Sequence, residues 1–248
     1  MPENTLPAFT YAIHQGVDAL EMDIAVTKDN VIVVSHDPIL HWPVCTGPQE
    51  NAVIHELTLA EVRQWDCGAV QNPRFHTQKV IRGTRMPTLD EVFQLAGRGN
   101  FDYDIETKSF PDQPQYTPPP EEFVRLVLAK IRQYKLEKRI ILLSFDFRTL
   151  VAMRKLAPEI RLSALTETDT REFAEITKDA AHAEIISPEV RLVTPAKVAA
   201  AHAAGIQVVP WTANTPQEWD MLIQAHVDAI ISDDPAELIV HLKKHGLR

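Results

Sequence analysis

Residues 19–37, "ALEMDIAVTKDNVIVVSHD", decide how this chain is read. Two carboxylates, Glu21 and Asp23, stand two apart inside an otherwise apolar segment. In a strand, residues i and i+2 share a face, so both acids point one way while Leu20, Met22 and Ile24 point the other. "TKDN" at 27–30 is a turn cluster, and "VIVVS" at 31–35 is β-branched enough to form a second strand. The connection is too short for a parallel crossover, which needs a dozen or more residues. The stretch therefore reads as a strand folding back in a hairpin, which carries His36 toward the two carboxylates. The bland alternative is an edge strand with a solvated acidic face. The sharper one is a metal or acid–base site.

Working outward, short apolar runs recur beyond residue 100: "YDIET" at 103–107, "IILLSF" at 140–145, "RLSALT" at 161–166, "AEIIS" at 183–187, "QVVPWT" at 207–212 and "DAIIS" at 228–232. Helix-like segments with end signals separate them. Thr215-Pro216 with Glu218 supplies a cap, a first-turn proline and a capping-box acid. Thr194-Pro195 opens another helix that Gly205 closes, and "TLAEVRQW" and "TLDEVFQLAG" each begin with a Thr-x-x-Glu box. Such alternation means a parallel sheet. The expected fold is an α/β TIM (β/α)8 barrel with a β-hairpin insertion, with a doubly wound open sheet second.

With 31–35 set aside as the hairpin arm, the parallel strands number seven: 19–26 and the six runs above. Only one helix precedes the first, "NTLPAFTYAIHQG", with Asn4 or Thr5 as cap and Gly16 as stop. A helix with no strand ahead of it is the expectation for a barrel whose first strand is missing. Residues 1–248 are expected to form a single domain, with insertions at about 41–87 and 109–120. The second insertion, "SFPDQPQYTPPP", is either a wall of the site or a disordered surface loop.

Composition bounds the function. The 248 residues are 45% hydrophobic, enough for a full core, and the net charge of −9 with no basic run argues against a nucleic-acid partner. No apolar stretch approaches the roughly 18 residues a transmembrane helix needs. Cys45 and Cys67 lack metal spacing and stand as free thiols or one disulfide. No leader is visible; the expectation leans to the cytoplasm, with the periplasm or secretion open should a leader precede this start. Oligomeric state is open.

In a barrel, functional side chains sit at strand C-termini. Those positions offer Glu21 and Asp23, then Glu106 and Lys108 on one face of "DIETKS", then Ser144 and Phe145, Trp211 and Asn214, and Ser232 and Asp233. Three carboxylates plus a lysine suit a hard divalent cation, Mg²⁺ or Ca²⁺, beside a phosphate. His36 is placed to move a proton. Read blandly, Glu106 and Lys108 are an ion pair, Phe145 and Trp211 are core, and His14, His55, His182 and His202 are surface or satisfied residues.

"PENTLPAF", "ALEMDIAVTKDNVIVVSHD", "DIETK", "LLSF", "VVPWTAN" and "VDAIISDDP" resemble the ordered motifs of glycerophosphodiester phosphodiesterases, from residue 2 to about 235. The resemblance implies a TIM barrel that hydrolyses small-molecule glycerophosphodiesters to glycerol 3-phosphate and an alcohol. It implies metal ligation by Glu21, Asp23 and Glu106, acid–base work by His36 and phosphate contact by Lys108. Phe145 and Trp211 would line the pocket, and Glu3 would support the site. The family opens with His-Arg-Gly before Pro-Glu-Asn-Thr, supplying a second acid–base histidine and a phosphate-binding arginine; here "PENT" follows Met1 directly. Impaired turnover is the expectation, because losing one acid–base partner costs roughly 10²–10⁴ in rate. The competing readings are an inactive barrel that binds a phosphodiester or partner, and a phospholipase-D-like enzyme acting on lysophospholipids.

Overall fold

The computed structural model describes residues 1–248 as two compact units, Met1–Arg139 and Ile140–Arg248. Each is an α/β assembly built on parallel strands.

The first unit opens with a helix at Leu6–Gln15, capped by the Thr5 hydroxyl, which accepts from the Ala8 N–H, and closed at Gly16 in the left-handed region. Of the two residues expected to cap it, Thr5 does so and Asn4 is turned to another task. Strand β1 (Ala19–Val26) then pairs antiparallel with β2 (Ile32–Val34), Ile24 opposite Val34 and Val26 opposite Ile32. The turn between them is tied by Thr27 N–H to Val31 O at 2.9 Å, with Asn30 at φ 60°. This is the hairpin that the 19–37 pattern predicts. After β3 (Ile39–Leu40) and β4 (Ala52–Val53), a short antiparallel pair, β5 (Asp102–Thr107) returns parallel to β1 with Asp23 opposite Glu106.

The 41–87 insertion packs a small core onto Ala25 and Val33 of the hairpin. Leu40, Ile54, Val62, Trp65 and Met86 pack with a Cys45–Cys67 disulfide, so the open question about the two cysteines resolves to a pair. Both Thr-x-x-Glu boxes form, at Thr58/Glu61 and Thr88/Glu91. The proline-rich 109–120 segment holds one 3-10 turn, Pro114–Tyr116, beside Ile54–Glu56, with Phe110 and Tyr116 edge to face at 6.1 Å. The following helix, Pro120–Tyr134, buries Phe123, Val124, Val127, Leu128 and Ile131 along one stripe, each contributing about 1.5–3 kcal/mol.

The second unit carries β6 (Ile140–Ser144), β7 (Arg161–Thr166), β8 (Ile185–Pro188) and β9 (Gln207–Val208), parallel and in chain order. Helices follow each strand, and the caps foreseen at Thr194 and Thr215 are in place. The seventh parallel strand, expected at 228–232, does not form. Asp228 N–H bonds Val208 O, but the next rung is Ile231 N–H to Pro210 O, one residue out of step. Pro210 has no N–H to give, so the ladder loses a rung and the segment runs alongside β9 as irregular chain.

Candidate active site

The site is set by the register of two neighbouring parallel strands. Glu21 lies opposite Asp104 and Asp23 opposite Glu106, and alternation sends all four side chains to one face. Carboxylate oxygens of Glu21, Asp23 and Glu106 lie within 4.8 Å of one another. Lys108, the next residue on that face of the chain, reaches back into the group. Its Nζ is 3.0 Å from Glu106 Oε1 and 3.4 Å from Asp23 Oδ1, and all three side chains are at most a tenth exposed.

Asn4 holds Asp23 from the other side. Its Nδ2 donates to Asp23 Oδ2 at 2.8 Å, and its Oδ1 accepts the Asp23 backbone N–H at 3.2 Å. The Asn4 backbone sits at φ 53°, a left-handed conformation that asparagine tolerates better than most residues. Glu3, beside it, receives a hydrogen bond from Asn72 Nδ2 at 3.2 Å. The hairpin brings in the histidine: Ser35 N–H bonds Asp23 O at 2.9 Å, and His36 follows at once. Asp37 then takes two imidazoles, His36 Nδ1 at 2.9 Å and His41 Nε2 at 2.8 Å.

Electrostatics reflect an excess of negative charge. Burial first, then the charges of Asp23, Glu106 and Asp104, push the Glu21 carboxyl well above its usual range. Burial and Asp23 raise Glu106 to about 8. For Lys108, burial favours the neutral amine, but Asp23 and Glu106 outweigh it and hold the ammonium above its ordinary value. The hydrogen bond that His36 donates to Asp37 raises its pKa against the pull of burial, with Asp23 adding to the rise. Asp37 in turn is lowered to about 2, chiefly by His36. Four carboxyl groups against one ammonium leave room for more positive charge, and a donor set made only of oxygens fits a hard divalent cation.

Of the residues singled out from sequence, Glu21, Asp23, Glu106, Lys108 and His36 fall in the first unit and share this neighbourhood. Phe145 and Trp211 belong to the second unit, packed edge to face at 5.5 Å, with Trp211 Nε1 donating to Ser187 O. Asn214, Ser232 and Asp233 bind one another, Asn214 Nδ2 to Asp233 Oδ2 at 2.7 Å, and lock a turn. Sequence reasoning missed Asn4, Asp37, His41 and Asp104 as parts of the site. Asp104 was within reach, since the alternation that pairs Glu106 with Lys108 extends one step back to it.

Carboxylates and a lysine gathered on neighbouring parallel strands are placed as functional side chains are in an α/β barrel. Solved structures place the fold there. A crystal structure of a candidate glycerophosphoryl diester phosphodiesterase from Silicibacter pomeroyi superposes with a TM-score of 0.91 at 31% identity, covering 100% of this chain and 90% of that one. An Oleispira antarctica phosphodiesterase, solved with the product sn-glycerol-3-phosphate, shares the fold at TM-score 0.83 and 22% identity, covering 98% and 92%. The chain belongs to the glycerophosphoryl diester phosphodiesterase family, whose profile matches residues 1–237. It is 32% identical over 246 residues to the glycerophosphodiester phosphodiesterase of Caldanaerobacter subterraneus subsp. tengcongensis, covering 99% of this chain and 94% of the relative. That membership makes it a phosphoric diester hydrolase.

Proposed function

We propose that this protein hydrolyses a glycerophosphodiester to glycerol 3-phosphate and an alcohol in a divalent-cation-dependent reaction. The observation that carries the reading is the convergence of Glu21, Asp23 and Glu106 around the buried Lys108 in a chain of this family. The three carboxylates would hold the cation, Mg²⁺ or Ca²⁺ by their oxygen donors. When bound, the cation supplies neutralisation of the charge that develops on the phosphoryl oxygens. Lys108 contributes a fixed positive charge for a phosphate oxygen. His36, its pKa raised by its hydrogen bond to Asp37, donates a proton to the departing alcohol oxygen as water forms the new bond to phosphorus and the ester P–O bond breaks. Asn4 and Glu3 act by positioning, Asn4 through its grip on Asp23.

His36 is the acid–base histidine assigned to the carboxylate group, and both lie in the unit Met1–Arg139. The half-buried, edge-to-face Phe110–Tyr116 pair favours, as a second reading, a lysophospholipid as substrate. The Cys45–Cys67 disulfide supports an oxidising compartment rather than the cytoplasm.

The test is release of choline, from glycerophosphocholine with glycerol 3-phosphate as co-product and from lysophosphatidylcholine with lysophosphatidic acid as co-product, with Mg²⁺, Ca²⁺ or EDTA. Metal-dependent release supports the proposal. Release that EDTA leaves unchanged removes the cation requirement. No release from either substrate moves the reading to a phosphodiester-binding barrel.

A further inference from the structure

A second cluster of ligating side chains lies in the Ile140–Arg248 unit, on its last two helices. Asp220 sits in the helix Pro216–Gln224, and His241 in the helix Pro235–Lys244, which ends at His245. The two histidines are one helical step of four apart, so they share a face. Both aim the same ring nitrogen at one oxygen: His241 Nε2 is 2.7 Å and His245 Nε2 is 3.3 Å from Asp220 Oδ1. The rings overlap at 4.7 Å between centroids and 35° between planes. His241 also packs on Trp219 at 5.3 Å. Trp219 is itself buried and pinned by its Nε1 donating to Ala213 O at 2.8 Å.

Read blandly, this is a carboxylate bonded to two histidines at a helix C-terminus, where positive charge is welcome. Two features go beyond that. The three ligand atoms already lie within 4.8 Å of one another. Around a cation with bonds of about 2.0–2.1 Å, tetrahedral neighbours stand about 3.3 Å apart. The Asp220–His245 separation has that value, and the Asp220–His241 separation needs to open by only about 0.6 Å on the same geometry. Rotation of the half-exposed Asp220 side chain suffices for that.

We propose that Asp220, His241 and His245 form a transition-metal site of the Zn²⁺ class, clipping the C-terminal helix to the helix Pro216–Gln224. Two imidazole nitrogens and one carboxylate oxygen select Zn²⁺, Cu²⁺ or Ni²⁺ over Mg²⁺ and Ca²⁺. This chemistry is distinct from the all-oxygen carboxylate group on β1 and β5. Each neutral ring presents its Nε2 lone pair by carrying its proton on Nδ1, so the cation replaces the hydrogen bonds to Asp220. His245 is nearly half exposed, leaving a fourth position open to water.

The probe is Zn²⁺ added to the metal-stripped full chain in excess Mg²⁺, which occupies the carboxylate group. The expected result is one Zn²⁺ per chain by calorimetry, a raised melting temperature, and selective shifts of the His241 and His245 ring resonances. Losing an outer-shell partner alone weakens metal sites about 10–100-fold, so His245→Ala and Asp220→Ala are expected to weaken Zn²⁺ binding by at least roughly tenfold. Unchanged affinity in those variants overturns the proposal. So does a wild-type titration that moves other histidine resonances instead, or that shows no saturable binding.

Discussion

Replacing Asn4 tests whether the pivotal carboxylate is held from outside its own strand. Asn4 makes two hydrogen bonds to Asp23, one of them to the carboxylate, from a backbone at φ 53°. A hydrogen bond to a charged acceptor is worth about 1.5–3 kcal/mol and a neutral one about 0.5–1.5. Alanine in the left-handed region costs about 1–2 kcal/mol more, whereas glycine adopts it freely. The site is partly buried, so water replaces some of the lost bonding and the lower ends of these ranges apply. Asn4→Ala is then expected to destabilise the protein by about 3 kcal/mol, and Asn4→Gly by about 2 kcal/mol. If Asp23 is a metal ligand, freeing its carboxylate also weakens Mg²⁺ binding by about 10–100-fold in both variants. Urea unfolding reads the first quantity and calorimetric Mg²⁺ titration the second. An Asn4→Ala protein within about 0.5 kcal/mol of the parent, with unchanged Mg²⁺ affinity, would refute the reasoning. Equal destabilisation by alanine and glycine would refute the backbone part alone.

Three further outcomes follow from the same geometry. Lys108→Met strips the cation from between buried carboxylates and is expected to cost about 3–5 kcal/mol in urea unfolding at neutral pH, with added Mg²⁺ recovering part of the loss. Asp37→Asn removes the largest cause of the raised His36 pKa, so proton NMR should find the imidazole titrating lower. A raised histidine pKa stabilises fully below the ordinary value and the benefit fades as pH rises through the folded one, so the variant's stability deficit should be greatest in mild acid and vanish in alkali. Reducing Cys45–Cys67, which are 22 residues apart, should lower stability by about 3 kcal/mol on loop entropy, seen as an earlier urea midpoint with dithiothreitol.

What was legible in the sequence had a period. Alternation placed Glu21 with Asp23 and Glu106 with Lys108 because a strand leaves no other arrangement, and the turn cluster at 27–30 set the hairpin that returns His36. The Thr-x-x-Glu boxes were legible for the same reason: cap and acid lie within one helical turn. The 228–232 run failed because its apolar pattern says strand while its neighbour's Pro210 withholds a hydrogen-bond donor. That conflict belongs to the pairing, and neither segment shows it alone. His241 and His245 carry a helical spacing, but the Asp220 that joins them comes from another helix.

The part of the site that stayed hidden is what holds Asp23. Its carboxylate is bound by Asn4 and Lys108, its N–H by Asn4, and its carbonyl by Ser35 N–H. Those contacts come from three places far apart in the chain; the hairpin pattern announces the Ser35 bond, but no local pattern announces the Asn4 ones. Asn4 in particular has the signature of a helix cap, and Thr5 takes that role only because Asn4, one residue earlier, has turned into the left-handed region. A short polar side chain is interchangeable at a helix end. It is not interchangeable where it must both donate to a carboxylate and accept from the same residue's backbone: an ionised carboxylate cannot donate, and a hydroxyl has one oxygen for both tasks where the amide has a separate donor and acceptor atom.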